Sequence, residues 1–145
     1  MKLDISLVPY GLITTVVGRI QKYVETAAKY SKGRASPDDI MRAFYNNTYQ
    51  LWVVIQEDSG VIGFFATEVK VYPQCKMLAV QHTVIEPNHM AGVESKMQEL
   101  ATLFAKDHGC AGVEFVGRPG WKKHAGKFGY TSSSVVYQRF FEKVK

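Results

Sequence analysis

Two cysteines, Cys75 and Cys110, are the only thiols in the 145-residue sequence. That number is too small for a disulfide framework, and their separation is not the C-x-x-C of a redox or metal motif. Such usage fits a reducing, cytoplasmic setting. Proline is also scarce, at five residues, and forms no linker. No internal repeat or low-complexity tract divides the chain, so residues 1–145 read as one domain, long enough to bury about 70% of its unfolded surface. Long apolar runs are absent as well. The uncharged stretch Ile5–Gly18 has 14 residues, too few to cross a bilayer as a helix. Asp4 precedes it, Pro9 interrupts it and no small-x-small cleavage site follows, so it does not read as a secretion signal. It reads as a strand running into a helix of a soluble protein with no membrane partner.

Several chemistries are excluded by the residues the chain lacks. There is no P-loop, no G-x-S-x-G elbow and no dinucleotide fingerprint. The four histidines, His82, His89, His108 and His124, form no H-x-x-x-H pair, so no metal site is expected. Charge is unbalanced, with a net +5 and a pI near 9.2. This permits a polyanionic partner. The basic residues are scattered, however, and their one concentration is Arg118, Lys122, Lys123 and Lys127. Four cations beside one tryptophan are a thin footprint for a nucleic-acid binder, and nucleic acid is not the expected partner.

What the chain does have is a legible order of elements. Leu3–Val8 reads as a strand ended by Pro9. Val16, Ile20, Tyr23, Val24, Ala27 and Ala28 then recur at helical spacing, up to the polar stretch Ser31-Lys32-Gly33-Arg34. Ser36, Pro37, Asp38 and Asp39 announce a second helix, with Ser36 as N-cap and proline at the first position. Ile40, Met41 and Phe44 form its apolar face, and Asn46-Asn47 ends it. Strands at Gln50–Gln56, Val61–Val71 and Met77–Ile85 follow, joined by connections too short for a crossover helix, which makes them an antiparallel meander. Val93, Met97, Leu100, Ala101, Phe104 and Ala105 mark a long amphipathic helix stopped by His108-Gly109. Gly112–Val116 is expected to pair parallel to the meander's last strand. A short helix carrying Trp121, Ala125 and Phe128 ends at Gly129, and Ser133–Phe141 reads as a final strand. The fold class is α/β, an α+β mixed sheet in the order β-α-α-β-β-β-α-β-α-β.

This order, over nearly the whole chain, resembles the GNAT superfamily of N-acyltransferases, which use acetyl-coenzyme A. Leu51-Trp52-Val53-Val54 and Val61-Ile62-Gly63-Phe64 are similar to the family's central hairpin. Ile85-Glu86-Pro87 resembles the end of its fourth strand, and Ala105-Lys106-Asp107-His108-Gly109-Cys110 the end of its cofactor-binding helix. Gly129-Tyr130 stands where Gly-Phe is common. Gly117-Arg118-Pro119-Gly120-Trp121-Lys122-Lys123 is similar to a branch encoded by bacteriophages.

The resemblance implies a pyrophosphate turn of the form Gln/Arg-x-x-Gly-x-Gly/Ala at a helix N-terminus, where backbone N–H groups and the helix dipole hold anions. Here that turn is His89-Met90-Ala91-Gly92-Val93-Glu94-Ser95. His89 replaces Arg/Gln, Gly92 keeps the first glycine, and Glu94 replaces the second. Glu94 is expected in the first helical turn. A carboxylate about 5 Å from a phosphate costs roughly 3 kcal/mol per charge pair at an effective dielectric near 20. Val84 and Ile85 would offer backbone groups to the thioester and pantetheine, and Lys122, Lys123 or His124 would meet a coenzyme phosphate. The family's tyrosine acid, four residues before Gly-Phe, is Ala125 here, with His124 beside it. An ordinary thiol ionises near pH 8.5, so the coenzyme leaves tolerably without an acid.

His82 and Glu86 lie four apart on one strand, so period two places them on one face. Each is a candidate base for an attacking amine. Tyr10, Tyr45, Tyr49 and Trp52 either line an acceptor groove or belong to the core. The expected activity is acetyl transfer from acetyl-coenzyme A to an amine on a small molecule or a protein. The alternative is a noncatalytic binding or structural protein, of viral type, that keeps the fold and has lost the coenzyme. Paired strands at the C-terminal edge also permit a homodimer.

Overall fold

The computed structural model describes residues 2–87, 89–117 and 121–142, with the backbone alone for Ala91, Lys122 and His124. The elements are β1 (Leu3–Leu7), a single 3-10 turn (Tyr10–Leu12), α1 (Ile13–Tyr30), α2 (Pro37–Tyr45), β2 (Gln50–Gln56), β3 (Gly60–Val71), β4 (Lys76–Ile85), α3 (Met90–Asp107), β5 (Gly112–Phe115) and α4 (Lys122–Gly126). Among the described residues they build one five-stranded sheet in the order β1-β2-β3-β4-β5. The first four strands are antiparallel neighbours, and β5 joins β4 in parallel, as the connection lengths require.

Both faces of the sheet are covered, which is why β2 reads as a continuous apolar run rather than an alternation. On one side Leu51, Val53, Phe64 and Ala66 pack with Ile20 and Val24 of α1 and Ile40 and Phe44 of α2. On the other, Ile5, Trp52, Val54, Ile62 and Phe65 pack with Val93 and Met97 of α3. Trp52 therefore belongs to the core. It stacks on Phe65 at 5.2 Å, and its indole N–H donates to the buried Thr67 hydroxyl at 3.0 Å. Tyr49 packs against the α1–α2 core, whereas Tyr10 and Tyr45 are exposed.

Gly63 of β3 has a specific packing reason. A Cβ there would lie 2.3 Å from the Val84 carbonyl oxygen, so glycine lets β3 and the end of β4 approach closely.

Ser133–Phe141 is not a strand. Residues 131–142 take no regular secondary structure and are exposed throughout. Their pattern suits a strand, but a strand exists only where another edge receives its backbone groups. Here the segment's contacts go to the α1–α2 turn: the Arg34 guanidinium donates to the Gln138 side chain and lies over the Phe140 ring at 5.8 Å.

Candidate active site

β4 is paired on both sides for part of its length and on one side for the rest. Its residues Met77–Val80 pair with β5. Beyond them the pairing with β3 runs Thr67↔Val80 and then Ala66↔His82, which leaves Gln81 as a bulge. A bulge bends its strand and increases its twist. The bulge coincides with the end of β5 pairing, so the outer edge of Gln81–Ile85 has no partner strand among the described residues. Beyond Val80 and Phe115 the two strands no longer pair, so the cleft between them is a break in the ladder's hydrogen bonding.

The strand's alternation decides which backbone groups face that cleft. The Glu86 N–H donates to the Ile62 carbonyl of β3 at 2.8 Å. Adjacent residues of a strand point their N–H groups to opposite edges, so Ile85 and Thr83 present theirs to the cleft. Val84 turns toward β3, where its carbonyl approaches Gly63. Of the two residues expected to offer backbone groups, Ile85 is therefore at the open edge and Val84 is not. Thr83 takes the position assigned to Val84, because backbone polarity alternates just as side chains do.

At the end of this edge α3 begins. No side chain caps His89, its N-cap residue, and there is no acidic residue in its first turn. Met90, Ala91 and Gly92 open the helix. Glu94 is its fifth residue and stands in the second turn, half-buried, which corrects its expected place. The first-turn N–H groups thus carry no carboxylate from Glu94's predicted position. A Cβ on Gly92 would lie 3.0 Å from Leu3 Cδ1, so this glycine also lets α3 dock on β1, beside the Lys96–Asp4 ion pair at 3.1 Å.

His82 and Glu86 do share a face, the one covered by α1 and α2. The His82 ring meets Tyr49 edge-on at 5.8 Å, and burial pushes its pKa below the ordinary 6.5. His82 is therefore neutral at pH 7, with a ring nitrogen free of its acid proton. The Tyr23 hydroxyl donates to Glu86 at 2.8 Å and the Lys22 ammonium pairs with it at 3.2 Å. These two bonds hold the Glu86 carboxyl below the ordinary carboxylate range. Glu86 is thus half-exposed and held ionised by these two partners.

A groove of about 640 Å³ runs along α3, between it and the start of β5 and the residues that follow α4, lined by Ser95, Gln98, Thr102, Val113 and Tyr130 among others. Ser95 thus faces a groove continuous along α3, and Lys123 is exposed on α4. The side chains of Lys122 and His124, like Arg118-Pro119-Gly120, lie outside the described residues. Tyr130 is a polar residue that the sequence reading passed over. Its ring meets Phe115 edge-on at 5.0 Å, its hydroxyl donates to Gln98 at 2.5 Å, and burial raises its pKa, keeping it protonated. The signal was available as a hydroxyl at a position where the resembled family has phenylalanine.

Among the described residues, no group of three or more His, Cys, Asp or Glu is placed to hold a metal ion, and no helix is long and apolar enough to cross a membrane.

No family model matches the chain, and no curated protein matches it. Solved structures do. Glucosamine-6-phosphate N-acetyltransferase from Arabidopsis thaliana is similar over 98% of this chain and 100% of its own, at 15% identity and a TM-score of 0.70. Ribosomal-protein-alanine N-acetyltransferase from Brucella melitensis biovar Abortus 2308 matches over 97% of this chain and 100% of its own, at 12% identity and a TM-score of 0.71. A predicted acetyltransferase from Clostridium acetobutylicum, solved with acetyl-CoA, matches over 96% of both chains, at 12% identity and a TM-score of 0.67. At such identities the likeness is one of fold, and this chain has the fold of the GNAT N-acetyltransferases.

Proposed function

We propose that the protein transfers an acetyl group from acetyl-coenzyme A to an amine on a small molecule or a protein. One observation carries the reading: the unpaired outer edge of β4 leads directly to a helix N-terminus whose N-cap residue, His89, makes no side-chain cap. Unpaired strand N–H groups suit the amides and carbonyls of an extended, pantetheine-like chain. A helix start of this kind suits a pyrophosphate, through its leading N–H groups and its dipole. Acetyl-coenzyme A bound there would supply an activated acetyl thioester.

The chain's own residues then divide the remaining work. The N–H groups of Thr83 and Ile85 orient a carbonyl at the cleft. Glu86, kept ionised by Tyr23 and Lys22, draws the cationic acceptor amine to the end of β4. Neutral His82 accepts the proton the amine must lose before its nitrogen can attack, directly or through a water. Tyr130, kept protonated, would exchange its bond to Gln98 for one to the departing thiolate in the groove beside α3, where no tyrosine stands on α4 itself. Ser95 and the first-turn N–H groups of Met90 and Ala91 hold phosphate oxygens, with Lys123 as a further cation, while the Gly92 N–H donates to the His89 carbonyl at 3.1 Å.

The test is calorimetric titration of the purified chain with acetyl-coenzyme A and, separately, with coenzyme A. One-to-one binding in the micromolar range is expected for both. No heat and no thermal shift at millimolar ligand would overturn the proposal in favour of a noncatalytic scaffold.

A further inference from the structure

A second cavity, of about 420 Å³, opens where β1 ends and β2 begins. Its volume lies within the range of small-molecule sites. The walls come from both faces of the sheet: Tyr10, Ile13 and Tyr49 on the α1–α2 side, Phe104 and His108 of α3 on the other. Helical rise puts Phe104 and His108 roughly 20–27 Å from Met90 at the start of α3. The cavity is therefore separate from the cleft beside β4.

These walls are flat and held in place. Phe104 meets Trp52 of the core edge-on at 5.6 Å, and the His108 ring stacks on Phe104 at 3.9 Å. The His108 Nδ1–H donates to the Phe104 carbonyl at 2.9 Å, which leaves Nε2 of the neutral ring as an acceptor. The Tyr10 hydroxyl donates to the Tyr45 carbonyl and pins a second ring. Gln50, also in the lining, accepts from the Thr67 hydroxyl at 2.9 Å through its side-chain carbonyl, leaving its amide N–H groups as donors. Among the described residues, no Asp, Glu, Lys or Arg lines the cavity. A charged ligand would lose its hydration there with no counter-charge to replace it. Leu7 and Tyr10 of the lining are 40% and 54% exposed, apolar surface that an occupant would cover.

We propose that this cavity binds a neutral, planar, two-ring aromatic molecule bearing a hydroxyl. Its rings lie on the aromatic walls. Its hydroxyl donates to His108 Nε2, and the Gln50 amide offers N–H groups to an acceptor beside it. Tyr49 lines the cavity and also meets the His82 ring at 5.8 Å, so an occupant contacts the same ring that packs against His82.

The probe is 2-naphthol, uncharged at neutral pH, titrated into the full chain while the histidine Cε1–H signals are followed by NMR. Saturable movement of the His108 signal, assigned with His108→Gln, is expected below about 1 mM, as a ligand of this size permits. His89, at the other end of α3, should not move. The anion 2-naphthoate and the non-planar decahydro-2-naphthol should each bind about tenfold more weakly or worse. Leu7→Trp fills the cavity and should weaken 2-naphthol by about tenfold. Leu12→Trp adds the same ring at a residue 51% exposed and outside the lining, and should leave binding unchanged. His108→Phe keeps a ring on Phe104 and removes Nε2, so it should abolish a preference of about fivefold for 2-naphthol over 2-methoxynaphthalene. Circular dichroism confirms the fold of each variant, and the ligand series on the wild-type chain needs no variant. Absence of a saturable His108 shift would overturn the proposal. So would equal binding of 2-naphthoate or decahydro-2-naphthol, a folded Leu7→Trp chain that binds as the wild type does, or a preference that survives His108→Phe. None of these readouts involves acetyl-coenzyme A or turnover, so their outcome is independent of the proposed activity.

Discussion

The N-termini of α2 and α3 are made of opposite materials. At α2, Ser36 accepts from the Asp39 N–H at 3.1 Å and Asp39 accepts from the Ser36 N–H at 2.9 Å, a reciprocal capping box, with Pro37 and Asp38 completing the turn. Every local device for ending a helix is used there. At α3 none is: His89 does not cap, and the first turn is Met90, Ala91 and Gly92. The contrast teaches where to look. A helix that caps its own start offers a ligand fewer N–H groups, whereas α3, with only the Gly92 N–H turned back to the His89 carbonyl, presents those of Met90 and Ala91 beside the open edge of β4.

The most severe way to break this contrast is to close the open end. Gly92→Asp places a carboxylate in the first turn of α3. Its nearest new neighbour is the flexible tip of Leu3, so folding should survive. Binding of acetyl-coenzyme A should fall about 100-fold, from a repulsion of roughly 3 kcal/mol at 5 Å. Calorimetry and a thermal melt read the two effects apart.

The chemistry beside the open end sharpens the comparison next. His82→Gln should lower kcat by about 10²-fold, the usual contribution of a proton acceptor, with coenzyme affinity unchanged. In the wild type, kcat should be level near pH 7–8 and should fall as the medium becomes acidic below the ordinary histidine value of 6.5, since the group titrates below it. Stability follows the same sign. A histidine with a depressed folded pKa contributes fully above pH 6.5, and that contribution declines as pH falls below 6.5 toward the folded value, because the unfolded chain then binds more protons. Urea titrations between pH 7.5 and 5 measure this, and a flat profile would remove His82 from the role.

Opening the closed end is the milder, reciprocal change. Ser36→Ala should cost about 1 kcal/mol of stability, seen as a lower urea midpoint, with no change in coenzyme affinity. Loss of affinity would mean that the two helix starts are not independent. The smallest effect is expected at Tyr130→Phe, which removes the hydroxyl bonded to Gln98. A few-fold fall in kcat with unaltered affinity is predicted, measured by steady-state kinetics.

These sites also show which features were legible and why. The α2 cap lies within four consecutive residues, so spacing alone revealed it. The shared face of His82 and Glu86 followed from period two, because the Gln81 bulge falls before both residues rather than between them. Their environments were not legible. Tyr23 reaches Glu86 across 63 positions, and Tyr49 meets His82 by way of the packed α2–β2 region. Glu94 was misplaced by one turn because helix starts are set by backbone geometry as well as by residue type. Val84 was assigned to the cleft because the sequence does not say which edge of β4 pairs.

What the sequence by itself determined is therefore local and periodic: the helices and their stops, the meander, the parallel return of β5, and both apolar faces of the sheet. Burial of alternating or helically spaced side chains dictates each of these, and the pattern lies within a few residues. The tertiary structure alone decided whether a strand-like sequence finds an edge. Val135–Phe141 has the pattern of a strand and lies outside the sheet, because pairing depends on a partner that no local sequence specifies. It decided as well where β4 loses its neighbour at Gln81, which backbone groups face the gap, and how burial and ion pairing set His82 neutral and Glu86 charged. Those are consequences of distant segments meeting, and they turn a common fold into a specific site.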